Sequence, residues 1–221
     1  MGSWVALFLF FTGTFSPPLA PSPFAVQNFT GTVYLYSQER KTWLPPQRGA
    51  RLKRGDEILT GPDGSLDLYF GKSHIRIKEN SEFYLQAPKK SFGRLRERIR
   101  LQRGAVLVSS KQQELEIAIP GPIQNPEQGF LYDFAVRLSA ASSRGTFLAV
   151  SIPEEELAWI SVLEGRVRVN SPLRMRSVEA RPLQKVESKG VSPVEAVSFS
   201  QTDWNQVREA YDFTSKGTTE P

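Results

Sequence analysis

A chain of 221 residues, with 39% hydrophobic and 23% charged side chains, is long enough to bury a core and is not a disordered tail. It has no cysteine, which excludes disulfides, thiolate metal ligands, a cysteine nucleophile and a lipidated N-terminal cysteine. Its single histidine, His74, is too few for a histidine metal site. Lys and Arg number 28 against 23 Asp and Glu, a formal charge of +5 that tilts the chain toward anionic surfaces without selecting nucleic acid, acidic polysaccharide or lipid headgroups.

The N-terminus opens on an apolar run, Trp4 to Phe15, followed by the breaker-rich stretch from Ser16 to Ala25. This is the layout of a secretory signal peptide, and the run is shorter than the roughly 20 apolar residues of a membrane-spanning helix. The expected organisation is a signal peptide over 1–25, an all-β domain over 26–190, and a linker, short helix and flexible tail over 191–221.

From Phe29 to Asn170 the chain reads as short strands with period-two alternation, broken by Gly, Pro, Asn and Asp. Gly31–Tyr36 is the first expected strand. Leu66, Leu68 and Phe70 then point inward, the turn Gly71-Lys72-Ser73 reverses the chain, and Ile75 and Ile77 return. Phe83 and Leu85 follow, then Leu115, Ile117 and Ile119, then Phe134, Val136 and Leu138, then Leu148, Val150 and Ile152. Val178 to Val186 has room for one or two more strands.

A repeat runs through this pattern: Leu52-Lys53-Arg54-Gly55, Leu101-Gln102-Arg103-Gly104 and Val162-Leu163-Glu164-Gly165 each lead into alternating apolar residues. Each reads as a hairpin corner at a glycine, which reaches positive φ without a Cβ clash. The expected class is all-β, a solenoid-like or sandwich-like stack of short strands and hairpins, with a short C-terminal helix over 202–213. Ser200 and Asp203 have capping-box spacing, and Trp204, Val207 and Tyr211 fall on one helical face, a candidate partner-binding surface.

Catalytic parts are missing from the sequence. Gly71-Lys72-Ser73 lacks the preceding glycine and the following helix of a phosphate-binding loop, and Asp63–Asp67 lacks the glycine and closing glutamate of a calcium loop. No serine sits in a nucleophile elbow. His74 shares strand parity with Arg76 and Lys78 and is expected at the surface. No catalytic, metal or cofactor-binding residue is assigned, and an enzyme is not expected. The basic segment 89–101 offers more: if extended, it places Arg94, Arg96, Arg98 and Arg100 on one face and Leu95, Ile99 and Leu101 on the other. Arginine forks suit phosphate or carboxylate, so this stripe is a candidate anion-binding surface; the plainer reading is a solvated strand whose like charges oppose aggregation.

Gly55-Asp56-Glu57-Ile58-Leu59-Thr60-Gly61 resembles the G-D-x-I-x-T-G motif of the FecR domain, a bacterial envelope module. In order after it come Ser65–Leu68, Ile75–Ile77, Asn80-Ser81, Leu101-x-x-Gly104-x-Val106, Ile119-Pro120, Arg144-Gly145-Thr146 and Val162-x-Glu164-Gly165-x-Val167. The resemblance covers roughly Gly31 to Asn170 and assigns Gly55, Asp56, Gly61, Gly104, Gly145 and Gly165 to structural turns. The chain departs from the family's pattern at Leu148, which stands where Phe is usual, and at Gly71-Lys72-Ser73, which replaces Asp-Gly-Ser. The family's sigma-factor-controlling segment, membrane helix and receptor-docking domain have no counterpart, so its role in iron-transport signalling does not carry over.

The resemblance implies a periplasmic, solenoid-like β module without naming a ligand. The expected function is a non-enzymatic periplasmic or cell-surface binding or sensing module that contacts an anionic envelope polymer or another envelope protein. The alternatives are an accessory role in transmembrane signalling and a structural spacer. Export argues against nucleic acid as a partner; membrane association stays open, without a span once the leader is removed.

Overall fold

The computed structural model describes residues 24–91, 94–110, 115–120, 133–139, 146–154, 157–171, 176–189, 192–193, 196–201 and 203. Alternation sets the architecture. In β5 (Ser65–Phe70) and β6 (Ser73–Ile77), every second residue is buried, so each strand has one apolar face to cover. Two sheets meet on those faces around one core, in which Leu66, Ile75, Phe83, Ile99, Ile117, Phe134 and Val162 are almost wholly buried.

The first sheet runs β3 (Thr42–Leu44), β2 (Val33–Ser37), β4 (Glu57–Thr60), β7 (Glu82–Ser91), β8 (Arg94–Ser110), β9 (Leu115–Pro120), β10 (Asp133–Ser139), β13 (Arg166–Asn170) and β14 (Ser177–Ala180). The second runs β1 (Phe24–Thr30), β5, β6, β8, β11 (Thr146–Glu154), β12 (Leu157–Glu164) and β15 (Gln184–Lys189). The short β16 (Ser192–Pro193) and β17 (Val197–Ser198) both pair with β15. All pairings are antiparallel except β8–β9.

This arrangement draws on both expected forms. Two sheets face one another as in a sandwich, yet the chain alternates between them and advances in order from one end to the other, as a solenoid does. The Leu-x-x-Gly corners make that possible, and here the hairpin reading is corrected. Gly55, Gly104 and Gly165 all have positive φ, as expected, but each carries the chain from one sheet to the other instead of reversing it within a sheet. Gly55 leads from the bridge of Arg51 to Ala25 in β1 across to β4, and Gly165 leads from β12 to β13. Gly104 lies inside β8, which pairs with β7 and β9 before the bend and with β6 and β11 after it. True hairpin turns lie elsewhere, as at Gly71 (φ 56°) between β5 and β6.

The other motif residues hold these bends. Asp56 is buried, and its carboxylate accepts hydrogen bonds from the Gln38 N–H at 3.0 Å and the Lys53 N–H at 2.7 Å. Thr60 Oγ1 donates to Lys78 O at 2.6 Å and accepts from the Ser81 N–H at 2.8 Å. Ser81 Oγ in turn accepts from the Ala105 N–H at 3.0 Å, tying the Asn80-Ser81 turn to the bend in β8. Gly61 donates its N–H to Thr32 O at 2.8 Å. Gly145 lies outside the described residues.

The described residues begin with β1, a strand ahead of Gly31, and the boundary drawn at 26 falls inside it. Phe24 is 1% exposed and stacks on Phe70, ring centroids 4.9 Å apart. Phe24→Ala is expected to lower stability by about 3 kcal/mol, at the low end for aromatic truncation because β1 is an outer strand whose neighbours can close in. Urea unfolding followed by circular dichroism would measure it, and an unchanged midpoint would show that Phe24 is dispensable.

At the other end, the C-terminal helix is not shown, since Trp204, Val207 and Tyr211 lie outside the described residues. The expected cap is present all the same. The Asp203 carboxylate accepts from the Ser200 N–H at 2.6 Å, and Ser200 Oγ accepts from the Asp203 N–H at 3.3 Å. Burial works to raise the Asp203 pKa, but hydrogen bonds from Lys185 and Ser200 outweigh it and hold the carboxyl below its ordinary value. Lys185 reaches it from β15 at 2.7 Å, so the start of this segment is fastened to the second sheet.

Candidate anion-binding groove

The basic segment is extended, as expected, and its parity places Ile99 and Leu101 in the core with Arg96, Arg98 and Arg100 on the outer face of the first sheet. Arg94 belongs to β8, but its side chain lies outside the described residues. Leu95 shares parity with Ile99 yet is 58% exposed, because it lies near the strand's end. The arginines are not the solvated stripe of the plainer reading: Arg96, Arg98 and Arg100 are all half-buried.

Their surroundings come from strands far away in sequence. One cross-strand row reads Gln86, Arg98, Glu116, Arg137, Arg168, Glu179, one residue from each of six adjacent strands. Glu116 is fully buried and lies 3.2 Å from Arg98 Nε and 2.7 Å from Arg137 Nε. Arg168 approaches Glu179 at 3.6 Å. Glu116 sits between two basic groups and Glu179 closes the row beside Arg168, so part of the stripe is held internally.

On the β7 side the same face opens. The register of β7 against β8 slips between Gln86 and Lys89, a bulge that lifts the strand at Ala87 and Pro88. Beside it lies a groove of about 870 Å³, lined by Arg54, Arg98, Arg100, Gln38, Gln86, Gln102, Tyr84 and Glu82. Arg54 comes from the Gly55 corner and reaches Glu97 at 3.6 Å. Gln86 Oε1 is buried there with no hydrogen-bond partner among the described residues. Arg103 approaches Glu82 at 3.4 Å, and Tyr84 Oη donates to Glu82. Burial, then the Glu82 hydrogen bond, raises the Tyr84 pKa; burial, then the Glu82 charge, raises that of Glu57 beside them.

Sequence reasoning found the arginines of β8 but missed Arg54, Tyr84 and Gln86, which arrive through strand pairing; Tyr84 and Gln86 carried no motif. His74 is half-buried instead of lying at the open surface, with its ring 4.1 Å from that of Tyr69. Burial holds its pKa below the ordinary histidine value, against the opposing pull of Asp67. Among the described residues no group of three His, Cys, Asp or Glu side chains is placed to hold a metal, and no helix is long and apolar enough to cross a membrane.

No protein-family model matches the chain, and no curated protein matches it. Two solved structures of a protein described as a putative anti-sigma factor from Parabacteroides distasonis ATCC 8503 match part of this chain. They superpose with TM-scores of 0.46 and 0.45 at 13% identity, over 68% of this chain and 64% of that one. The present chain thus spans a little under two thirds of that protein's length.

Proposed function

We propose that this chain is a non-enzymatic binding module of FecR-domain type, exported to the bacterial envelope, whose groove beside the β7 bulge holds an anionic ligand. The observation that carries the reading is the lining. Three guanidinium groups, three amides and a phenol line the groove beside one carboxylate, Glu82, which Tyr84 and Arg103 already engage. Guanidinium groups with amide donors recognise carboxylate or phosphate oxygens through forked, charge-assisted hydrogen bonds. The motif series in order and the apolar Trp4–Phe15 run support the envelope assignment.

The test is calorimetric titration of the full chain with oligogalacturonate and with inorganic polyphosphate. Arg54→Gln combined with Arg100→Gln is expected to weaken binding at least roughly tenfold, the scale of one lost charge-assisted hydrogen bond. Arg168→Gln, remote on β13, should leave it unchanged. Wild-type affinity in the double variant, with its melting temperature intact, would overturn the reading.

A second reading, an accessory role in transmembrane signalling through the segment carrying Trp204, Val207 and Tyr211, is favoured by one observation. The Lys185–Asp203 pair and the Ser200 cap fasten the residues just ahead of that segment to the second sheet.

A further inference from the structure

One cross-strand row on the outer face of the first sheet leads straight into the groove. Trp43 on β3 faces Tyr36 on β2, Tyr36 faces Glu57 on β4, Glu57 faces Tyr84 on β7, and Tyr84 faces Arg100 on β8. Each step between strands is about 4.8 Å, so the row spans roughly 19 Å from the sheet edge to the guanidinium groups. Its outer end is aromatic and open. Trp43 is 43% exposed, Tyr34 beside it on β2 is 52% exposed, and the Trp43 and Tyr36 rings lie 5.2 Å apart with their planes at 56°. The inner end is the polar groove.

We infer that this row is a binding strip for an acidic polysaccharide, with sugar rings against Trp43 and Tyr36 and a sugar carboxylate among Arg54, Arg98 and Arg100. The inference rests on the groove being an anion site and names the class of anion. Aromatic faces carry negative charge density and attract the polarised C–H groups on the flat side of a sugar ring. Such faces do nothing for a chain of bare phosphates. Glu57, between Tyr36 and Tyr84 in the row, supplies an acceptor for sugar hydroxyls. An aromatic edge joined in register to a basic groove therefore suits a ligand that has both rings and acid groups. A cross-strand aromatic pair also stabilises an edge strand on its own, so the test separates stability from binding.

Three probes are titrated into the full chain: an oligogalacturonate, a neutral hexose oligomer of equal length, and inorganic polyphosphate. Binding is read by calorimetry and by the Trp43 fluorescence, taken as the difference between wild type and Trp43→Phe. The acidic oligomer is expected to bind tightest and to perturb Trp43. Trp43→Ala and Tyr36→Ala should each weaken it roughly tenfold, the scale of one aromatic contact with its buried area, and leave polyphosphate binding unchanged. Melting temperatures of both variants identify any effect that comes through folding.

If the two anions bind alike and neither aromatic variant alters binding, the groove is an anion site and the polysaccharide inference fails alone. Polyphosphate binding as tight as, or tighter than, that of the acidic oligomer, with Trp43 silent, fails it in the same way. If the neutral oligomer binds as well as the acidic one, or if no probe binds, the groove reading fails too, and the inference with it.

Discussion

Gly104→Ala is expected to move the urea unfolding midpoint far below that of the wild type. Gly104 has φ +85°, in the left-handed region that a Cβ disfavours. Its neighbours matter more. A Cβ there would lie 2.3 Å from Ser81 Oγ, 2.5 Å from Ser81 Cα and 2.8 Å from Asn80 O. None of these can step aside: Ser81 Oγ is engaged by the Ala105 N–H, and the Ser81 N–H is engaged by Thr60.

The bend at Gly104 is also where β8 changes sheets, so displacing it misaligns four strand pairings together. We expect a loss above about 4 kcal/mol, in the range reserved for disrupted cores and forbidden backbone. Gly49→Ala supplies the comparison, because Gly49 has φ +78° and nothing within 4 Å of the added Cβ. It should lose only the backbone strain, about 1 kcal/mol. Urea unfolding of both variants would decide; equal midpoints would refute the steric account of the bend.

Glu116→Gln is expected to cost about 3–5 kcal/mol, the usual loss when one partner of a buried ion pair is removed and the other stays charged. Glu116 is fully buried between Arg98 and Arg137, whose side chains are themselves mostly enclosed. An amide in its place keeps the shape and loses the charge that both guanidinium groups face. The replacement Glu116→Leu with Arg98→Met and Arg137→Met should recover most of the loss, since packed apolar side chains can substitute for buried ions. Chemical denaturation of the single and triple variants measures this. A triple variant no more stable than Glu116→Gln would mean that the site needs its charges for more than mutual compensation.

Much of the architecture was open to reading from the chain. Period-two alternation marks Leu66, Leu68 and Phe70, or Phe134, Val136 and Leu138, as one-sided strands, because burial of alternate side chains is a local consequence of the pleat. Glycine corners were recognisable for the same local reason. β1 was hidden because Phe24 and Ala25 adjoin a breaker-rich stretch that reads as leader. The hairpin reading of Gly55, Gly104 and Gly165 failed because positive φ says that the chain bends, not which sheet receives it.

The groove was less legible still. Alternation in β8 placed Arg96, Arg98 and Arg100 on one face, and that much was correct. Glu116 approaches Arg98 only because β9 pairs with β8 in parallel, and parallel pairing leaves no mark in the sequence of either strand. Trp43 and Tyr36 belong to the same row as Arg100 through three further registers, each set by packing across the core.

Sequence by itself therefore determined the all-β class, the inward face of most strands, the bends at glycine and the absence of cysteine chemistry. These follow from pleat geometry, φ preference and composition, which are properties of a few adjacent residues. Tertiary structure alone decided that glycine bends switch sheets, that Glu116 holds two arginines, and that an aromatic edge runs into a basic groove. Those depend on which distant strands become neighbours, a choice made by the joint burial of two sheet faces around one core.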